Sequence, residues 1–126
     1  MSEPLYLLDS NICIYVLEGG PPAVRRRVES FAPGELVTSS IAYAEVMRGL
    51  SGNIVKVKAA GAFFKVVSPL PFGEDEARQY ADLPFRRAGF DRLIAAHALV
   101  RNLVLVTNNE RDFRDIAKLR VENWTR

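Results

Sequence analysis

The chain has 126 residues and is 48% hydrophobic, which suits one compact domain spanning residues 1–126 with a buried core and excludes an intrinsically disordered protein. Lys and Arg number 17 against 15 Asp and Glu, so the formal net charge of +2 does not by itself select a partner. The single cysteine, Cys13, excludes a disulfide framework or a Cys-based zinc site within one chain, and no apolar run approaches the roughly 18 residues of a membrane span, so we expect a soluble cytoplasmic protein.

Short apolar segments typical of buried strands alternate with helical segments along the chain. Strands are predicted at residues 5–8, 36–38, 65–67 and 103–106, with a short fifth at 120–122. Helices are predicted at residues 10–18, 23–31, 39 or 40 to 50, 54–64, from 74 onward, 92–101 and 110–118. Alternating strands and helices predict an α/β fold: a three-layer α/β/α sandwich around a central parallel sheet of four to five strands.

Four acidic residues fall near predicted strand ends or helix starts. Asp9 ends the first strand, Glu45 lies in the helix after the second, Asp91 caps the helix that leads to the fourth, and Asp112 follows the fourth. In an open parallel sheet the working site lies outside the carboxyl ends of the strands, so we expect these side chains to converge. Several carboxylates in one pocket repel one another unless a divalent cation neutralises them, and oxygen ligands without Cys or His favour Mg²⁺ or Mn²⁺.

Each of these carboxylates also has a simpler interpretation. Asp9 and Asp91 are residue types that cap helix N-termini, and Asp112 could lie in a solvated first turn. Glu45 could be a surface residue, although its apolar neighbours in residues 42–46 indicate that its carboxylate needs a partner such as a metal or Arg48.

Four segments together resemble the motifs of PIN domains, in order and over nearly the whole chain. They are L-L-D-S-N at residues 7–11, S-I-A-Y-A-E-V-M-R-G at 40–49, D-R-L-I-A-A-H-A at 91–98 and L-V-T-N-N-E-R-D-F at 105–113, with a family-like tail V-E-N-W at 121–124. The branch that the chain resembles is the VapC toxins.

The resemblance implies an endoribonuclease that hydrolyses RNA with metal-activated water and leaves a 5′-phosphate and a 3′-hydroxyl. Asp9 and Asp91 would bind Mg²⁺ or Mn²⁺, Glu45 and Asp112 would complete the acidic site, and Asn11 would orient Asp9 and the hydrated ion. Many PIN domains have an aspartate where this chain has Asn109, so either Asn109 or Asp112 could complete the metal site.

The resemblance also implies partners: a VapB-type antitoxin that restrains the activity, a second copy of the chain in a homodimer, and no membrane. Apolar candidates for the antitoxin surface are Tyr15, Tyr43, Met47 and Leu50, each of which could equally belong to the core. The RNA that is cleaved is not indicated, because no base-reading motif is visible.

The basic residues are predicted to contact the RNA backbone. If four carboxylates are engaged by metal, 17 basic residues face 11 remaining acidic ones, which fits a polyanionic substrate. Near the proposed site in sequence are Arg86, Arg87, Arg92, Arg111 and Arg114. His97 lies on a different helical face from Asp91 and is predicted to be a packing or interface residue rather than a general base.

Two other classes begin with an acidic strand end. A haloacid-dehalogenase-like phosphatase needs a second aspartate where this chain has Asn11, and a receiver domain needs a phosphorylatable aspartate after a central strand, where residues 66–69 offer none. A non-catalytic PIN-like module that binds RNA or protein remains an alternative, because Asn109 replaces an acidic residue.

Overall fold

A computed structural model describes residues 3–87 and 89–126. The strands are β1 Tyr6–Leu8, β2 Leu36–Ser39, β3 Ser68–Leu70, β4 Val104–Val106 and β5 Val121–Glu122. The helices are α1 Ser10–Glu18, α2 Pro22–Glu29, α3 Ser40–Leu50, α4 Ile54–Val66, α5 Glu74–Ala81 and α6 Asp91–Arg101, followed by a 3₁₀ helix at Glu110–Phe113.

The five strands form one sheet in the order β3-β2-β1-β4-β5, and all four pairings are parallel. The predicted central parallel sheet is therefore confirmed. β1 lies in the middle, with Leu8 level with Thr38 on one side and Val106 on the other. The carboxyl ends of these three strands lie side by side, which brings the segments that follow them to one edge of the sheet.

Alternate side chains along the strands pack into two separate cores on opposite faces of the sheet. Leu8 and Leu36 belong to a core that includes residues of α1, α2, α3 and α4, whereas Leu7 and Val37 belong to a second core with α6. This alternation follows from the twofold period of a strand, which directs neighbouring side chains to opposite faces. Helices thus cover both faces, as the predicted α/β/α sandwich requires.

Cys13 is fully buried in the first of these cores. Burial raises the pKa of its thiol to about 12, so the group stays protonated and unreactive. Cys13 is therefore a structural thiol of the core.

Three predicted elements differ from the structure. The third strand is Ser68–Leu70 rather than residues 65–67, because α4 continues to Val66. Pro69 is tolerated in that strand since β3 lies at the sheet edge. The last predicted helix, 110–118, is only the 3₁₀ helix Glu110–Phe113, and α6 begins at Asp91 with Phe90 as its N-cap, so Asp91 is not the cap.

Candidate active site

Asp9 is held at the carboxyl end of the central strand. Its backbone N–H donates to the Val106 carbonyl at 2.9 Å, so the β1–β4 pairing extends up to this residue. Its side chain caps α1: Oδ1 accepts from the Ser10 N–H at 2.8 Å, while Oδ2 accepts from the Thr107 hydroxyl at 2.9 Å. Asp9 thus caps α1 and also lies at the predicted site. It is buried, with 5% of its surface exposed.

The burial of Asp9 has an electrostatic consequence. Loss of solvation raises the pKa of its carboxyl, and the hydrogen bonds from Ser10 and Thr107 offset the increase only in part. A positive charge placed beside Asp9 would therefore stabilise the ionised form.

Glu45 faces Asp9 from α3. Its Oε1 is buried and has no hydrogen-bond partner among the described residues. Burial raises the pKa of Glu45, and the charges of Asp9 and Asp91 raise it further, whereas the Ser10 hydroxyl acts in the opposite direction. Among the described residues this oxygen therefore has no partner, and the charges that raise the pKa of Glu45 come from other acids.

Asp91 opens α6 and joins the same acidic group. Its pKa is raised from 3.8 to about 6, first by burial and then by the charges of Asp9 and Asp112, while Arg92 partly offsets the shift. The charge of Asp9 acts on both Glu45 and Asp91, and that of Asp112 acts on Asp91, so the folded chain brings the four predicted carboxylates into one acidic group. The separation that would have refuted the sequence interpretation, with Asp9 and Asp91 on different sides of the molecule, does not occur.

Asp112 and Asn109 are joined to each other. Asn109 Nδ2 donates to Asp112 Oδ2 at 2.5 Å, and the Asn109 backbone N–H donates to the Thr107 hydroxyl at 3.2 Å. Asn109 is exposed and its amide nitrogen is directed at the carboxylate, so it holds Asp112 in place. Of the two residues that the sequence left as alternatives, Asp112 is the one whose charge raises the pKa of Asp91.

Asn11 does not orient Asp9 in this structure. Its amide donates to Asn108 Oδ1 at 3.4 Å, and Asn108 in turn donates to the Tyr15 hydroxyl at 3.0 Å. The residues that orient Asp9 are Ser10 and Thr107 instead. Sequence reasoning missed Thr107, although a hydroxyl residue directly after β4, in the motif that already contained Asn109 and Asp112, was the available signal.

The five predicted phosphate-binding arginines fall into two groups. Arg92 is only 2% exposed, and its Nη2 donates to the Asp112 carbonyl at 3.0 Å and to Asp115 Oδ1 at 2.8 Å. The prediction that Arg92 contacts the substrate is therefore wrong. Its guanidinium instead holds the loop that carries Asp112 in place. Arg86 lies 3.6 Å from the other oxygen of Asp115. The remaining three, Arg87, Arg111 and Arg114, are exposed to solvent.

The donor set suits a hard divalent cation. The charges of Asp9 and Asp91 act on Glu45, and those of Asp9 and Asp112 act on Asp91, so four carboxylates, one of them with an unpaired buried oxygen, supply the negative charge and oxygen atoms that Mg²⁺ and Mn²⁺ prefer. Within residues 3–87 and 89–126, no three His, Cys, Asp or Glu side chains are already closed into a metal-binding group.

Residues 6–119 match the family described as PIN domain. The chain belongs to the PIN domain family. The resemblance to PIN domains drawn from the four motifs is thereby confirmed, and the relatives described next confirm the VapC branch.

Relatives of this PIN domain extend over almost its whole length. It is 32% identical to Ribonuclease VapC1 of Haemophilus influenzae (strain R2866), over 97% of this chain and 99% of that protein. It is 29% identical to the tRNA(fMet)-specific endonuclease VapC of Shigella flexneri, over 95% and 98%.

A solved structure shows the same fold. It is VapBC2 from Rickettsia felis bound to a DNA fragment from its promoter, with a TM-score of 0.85 and 28% identity over 95% of this PIN domain and 98% of that chain. No helix in the described part of the chain is both long and apolar enough to cross a membrane.

Proposed function

We propose that this PIN domain is a Mg²⁺- or Mn²⁺-dependent endoribonuclease that acts as the toxin of a VapBC-type toxin–antitoxin pair. The observation that carries the proposal is the convergence of Asp9, Glu45, Asp91 and Asp112 at the carboxyl end of the sheet. The names of the Haemophilus and Shigella relatives, a ribonuclease and a tRNA-specific endonuclease, support the reaction class.

In this proposal Asp9 and Asp91 bind the ion, and Glu45 and Asp112 complete the acidic site around it. When bound, the ion would supply an activated water and neutralise charge on the phosphodiester, so no histidine base is required. The contribution of the chain is orientation: Ser10 and Thr107 fix both oxygens of Asp9.

The RNA would be held by exposed side chains around this edge. Arg87, Arg111 and Arg114 are accessible to backbone phosphates. Phe85 and Phe90 are 79% and 52% exposed, and Phe90 directly precedes Asp91. Exposed aromatic rings interleaved with arginines favour unpaired nucleotides, whose bases can stack on them.

A VapB-type antitoxin is the proposed partner, because the Rickettsia structural relative is itself a VapBC complex. Of the four apolar residues predicted for this contact, Leu50 is buried in the core, so it is removed from the surface. Tyr43 is 36% exposed, and Tyr15 and Met47 are partly buried against the core. A homodimer remains a prediction from family resemblance.

The decisive experiment is cleavage of RNA by purified, chelator-treated protein with and without Mg²⁺ or Mn²⁺. The substrates would be unstructured RNA, the matching duplex and initiator tRNA, which the name of the Shigella relative suggests. We expect metal-dependent cuts with 5′-phosphate ends. RNA binding without cleavage at any metal concentration would instead support the alternative, a non-catalytic PIN-like binding module.

A further inference from the structure

His97 is a buried histidine that does not belong to the acidic site. It lies on α6 with none of its surface exposed, and its Nδ1 is 2.8 Å from the Ser39 hydroxyl oxygen. Its Nε2 has no hydrogen-bond partner in residues 3–87 and 89–126. A polar ring that is fully buried and makes a single side-chain hydrogen bond indicates that this bond has a specific structural role.

The partner of His97 occupies a junction between two elements. Ser39 is the last residue of β2 and the N-cap of α3, where its hydroxyl oxygen accepts from the Ile41 N–H at 3.0 Å. The hydroxyl proton remains free for another acceptor. Burial lowers the pKa of His97, with Arg101 acting in the same direction and Glu76 against it, so the neutral ring can accept that proton at Nδ1.

The Ser39–His97 bond connects the two helices that carry acidic site residues. Glu45 lies six residues after Ser39 on α3, and Asp91 lies six residues before His97 on α6. The charge of Asp91 acts on Glu45 and opposes its ionisation, so in the absence of an ion the two carboxylates repel. A buried bond between the helices opposes movement of the two carboxylates away from each other.

We propose that His97 is a positioning residue, whose hydrogen bond to Ser39 sets the spacing of Asp91 and Glu45 required for metal binding. The inference rests on the proposed metal-dependent function. It assigns His97 no contact with RNA or with the ion, and its effect is transmitted through the orientation of α3 relative to α6.

The test measures Mn²⁺ affinity directly, by calorimetry or electron paramagnetic resonance, alongside RNA cleavage. His97→Phe keeps an aromatic ring but removes Nδ1, and Ser39→Ala removes the hydroxyl. We expect each change to weaken Mn²⁺ binding and lower kcat by about 10-fold or more, with KM for RNA nearly unchanged, since residues that orient metal ligands typically contribute 10- to 100-fold. The double variant should be no weaker than Ser39→Ala alone, because both changes remove the Ser39–His97 bond and only Ser39→Ala also removes the cap on the Ile41 N–H.

A matched control separates positioning from general loss of core packing. Leu99 lies on the same helix and packs against the second core, and its side chain has no polar atom that could bond to Ser39. Leu99→Ala should lower the midpoint of thermal unfolding yet leave Mn²⁺ affinity unchanged. If His97→Phe does not fold, Ser39→Thr and Ser39→Ala provide the comparison: Thr should bind Mn²⁺ like the unsubstituted protein, and Ala about 10-fold more weakly.

The possible outcomes separate the proposed nuclease function from the positioning role of His97. Failure of the unsubstituted protein to bind Mn²⁺ or cut RNA would overturn the proposed function itself. Normal metal binding and cleavage, together with folded His97→Phe or Ser39→Ala proteins of unchanged Mn²⁺ affinity, would overturn only the positioning role. Additive losses in the double variant would also overturn it.

Discussion

Thr107 donates its hydroxyl proton to Asp9 Oδ2 across 2.9 Å, joining the residue after β4 to the residue after β1. Neither residue is exposed, and Thr107 Oγ1 also accepts the Asn109 N–H. One hydroxyl therefore links the central carboxylate to the loop that carries Asp112. The order of strands in the sheet makes this link possible, because β1 and β4 are neighbours.

Thr107→Val should lower RNA cleavage by about 10- to 100-fold, because Asp9 loses the hydrogen bond that orients one of its oxygens. The free energy of unfolding should fall by about 1 kcal/mol, the usual net contribution of one such bond. Thr107→Ser retains the hydroxyl and should recover most of the activity. Cleavage by Thr107→Val at the rate of the unsubstituted protein would show that Asp9 needs no help from this residue.

Asp9→Asn and Asp91→Asn should each abolish cleavage and leave the protein folded, because each removes a proposed metal ligand and one member of a repelling group. The circular dichroism spectrum should be unchanged, and Mn²⁺ binding should be lost. Asp82→Asn changes an exposed acid outside the cluster and serves as the control. A folded Asp9→Asn protein that still cuts RNA would remove Asp9 from the catalytic set.

The metal-free protein should lose stability as the pH rises from about 4 to about 7. The pKa of Asp91 is raised in the folded state, from 3.8 to about 6, so the folded protein holds a proton that the unfolded chain has released. Since Asp91 is partly solvated, we expect a loss of about 1–2 kcal/mol from this group rather than the full electrostatic value. Denaturant unfolding in EDTA at several pH values measures the effect.

Two comparisons check the origin of this pH dependence. Asp91→Asn should flatten the curve, and excess Mg²⁺ should restore stability near pH 7, where the carboxylates are ionised and bind the ion. A curve in EDTA that is unchanged by Asp91→Asn would contradict the assignment to this carboxyl.

Replacement by methionine should lower the stability of the protein at Arg92 and weaken RNA binding at Arg87. Arg92→Met should lower the free energy of unfolding by about 1–3 kcal/mol, because the buried Asp112 carbonyl loses its donor. Arg87→Met changes an exposed residue and should leave stability unchanged while weakening RNA binding and reducing its salt dependence by about one phosphate contact. Thermal unfolding and RNA titrations at several salt concentrations distinguish the two roles. A loss of stability in Arg87→Met, or unchanged stability in Arg92→Met, would contradict them.

Phe85→Ala should weaken binding of unpaired RNA by an amount equivalent to about 1–3 kcal/mol, the contribution of one stacked base, with little effect on duplex RNA. Phe85→Trp keeps a stacking surface and should bind normally. Ile54, which is 85% exposed on α4, provides the control, since Ile54→Ala removes exposed apolar surface elsewhere. Equal losses for Phe85→Ala on duplex and unpaired RNA would argue against stacking.

The sequence by itself determined the α/β architecture and the four acidic residues, because both depend on local patterns. The continuous apolar runs at residues 5–8 and 103–106 predict buried strands, and acids placed after parallel strands must meet at one edge of the sheet. The motif order then connected these acids to the PIN domain family, which the match over residues 6–119 confirmed.

Only the tertiary structure decided which polar groups orient the acids, because those contacts join residues far apart in the chain. Thr107 reaches Asp9 over 98 positions, and His97 reaches Ser39 over 58. The same reason explains the corrected role of Arg92: an arginine beside a site residue looks available for phosphate until the loop with Asp112 and Asp115 packs over it. The end of α4, and hence the start of β3, was likewise decided by packing, since Val67, the C-cap of α4, is buried in a core that local propensity does not reveal.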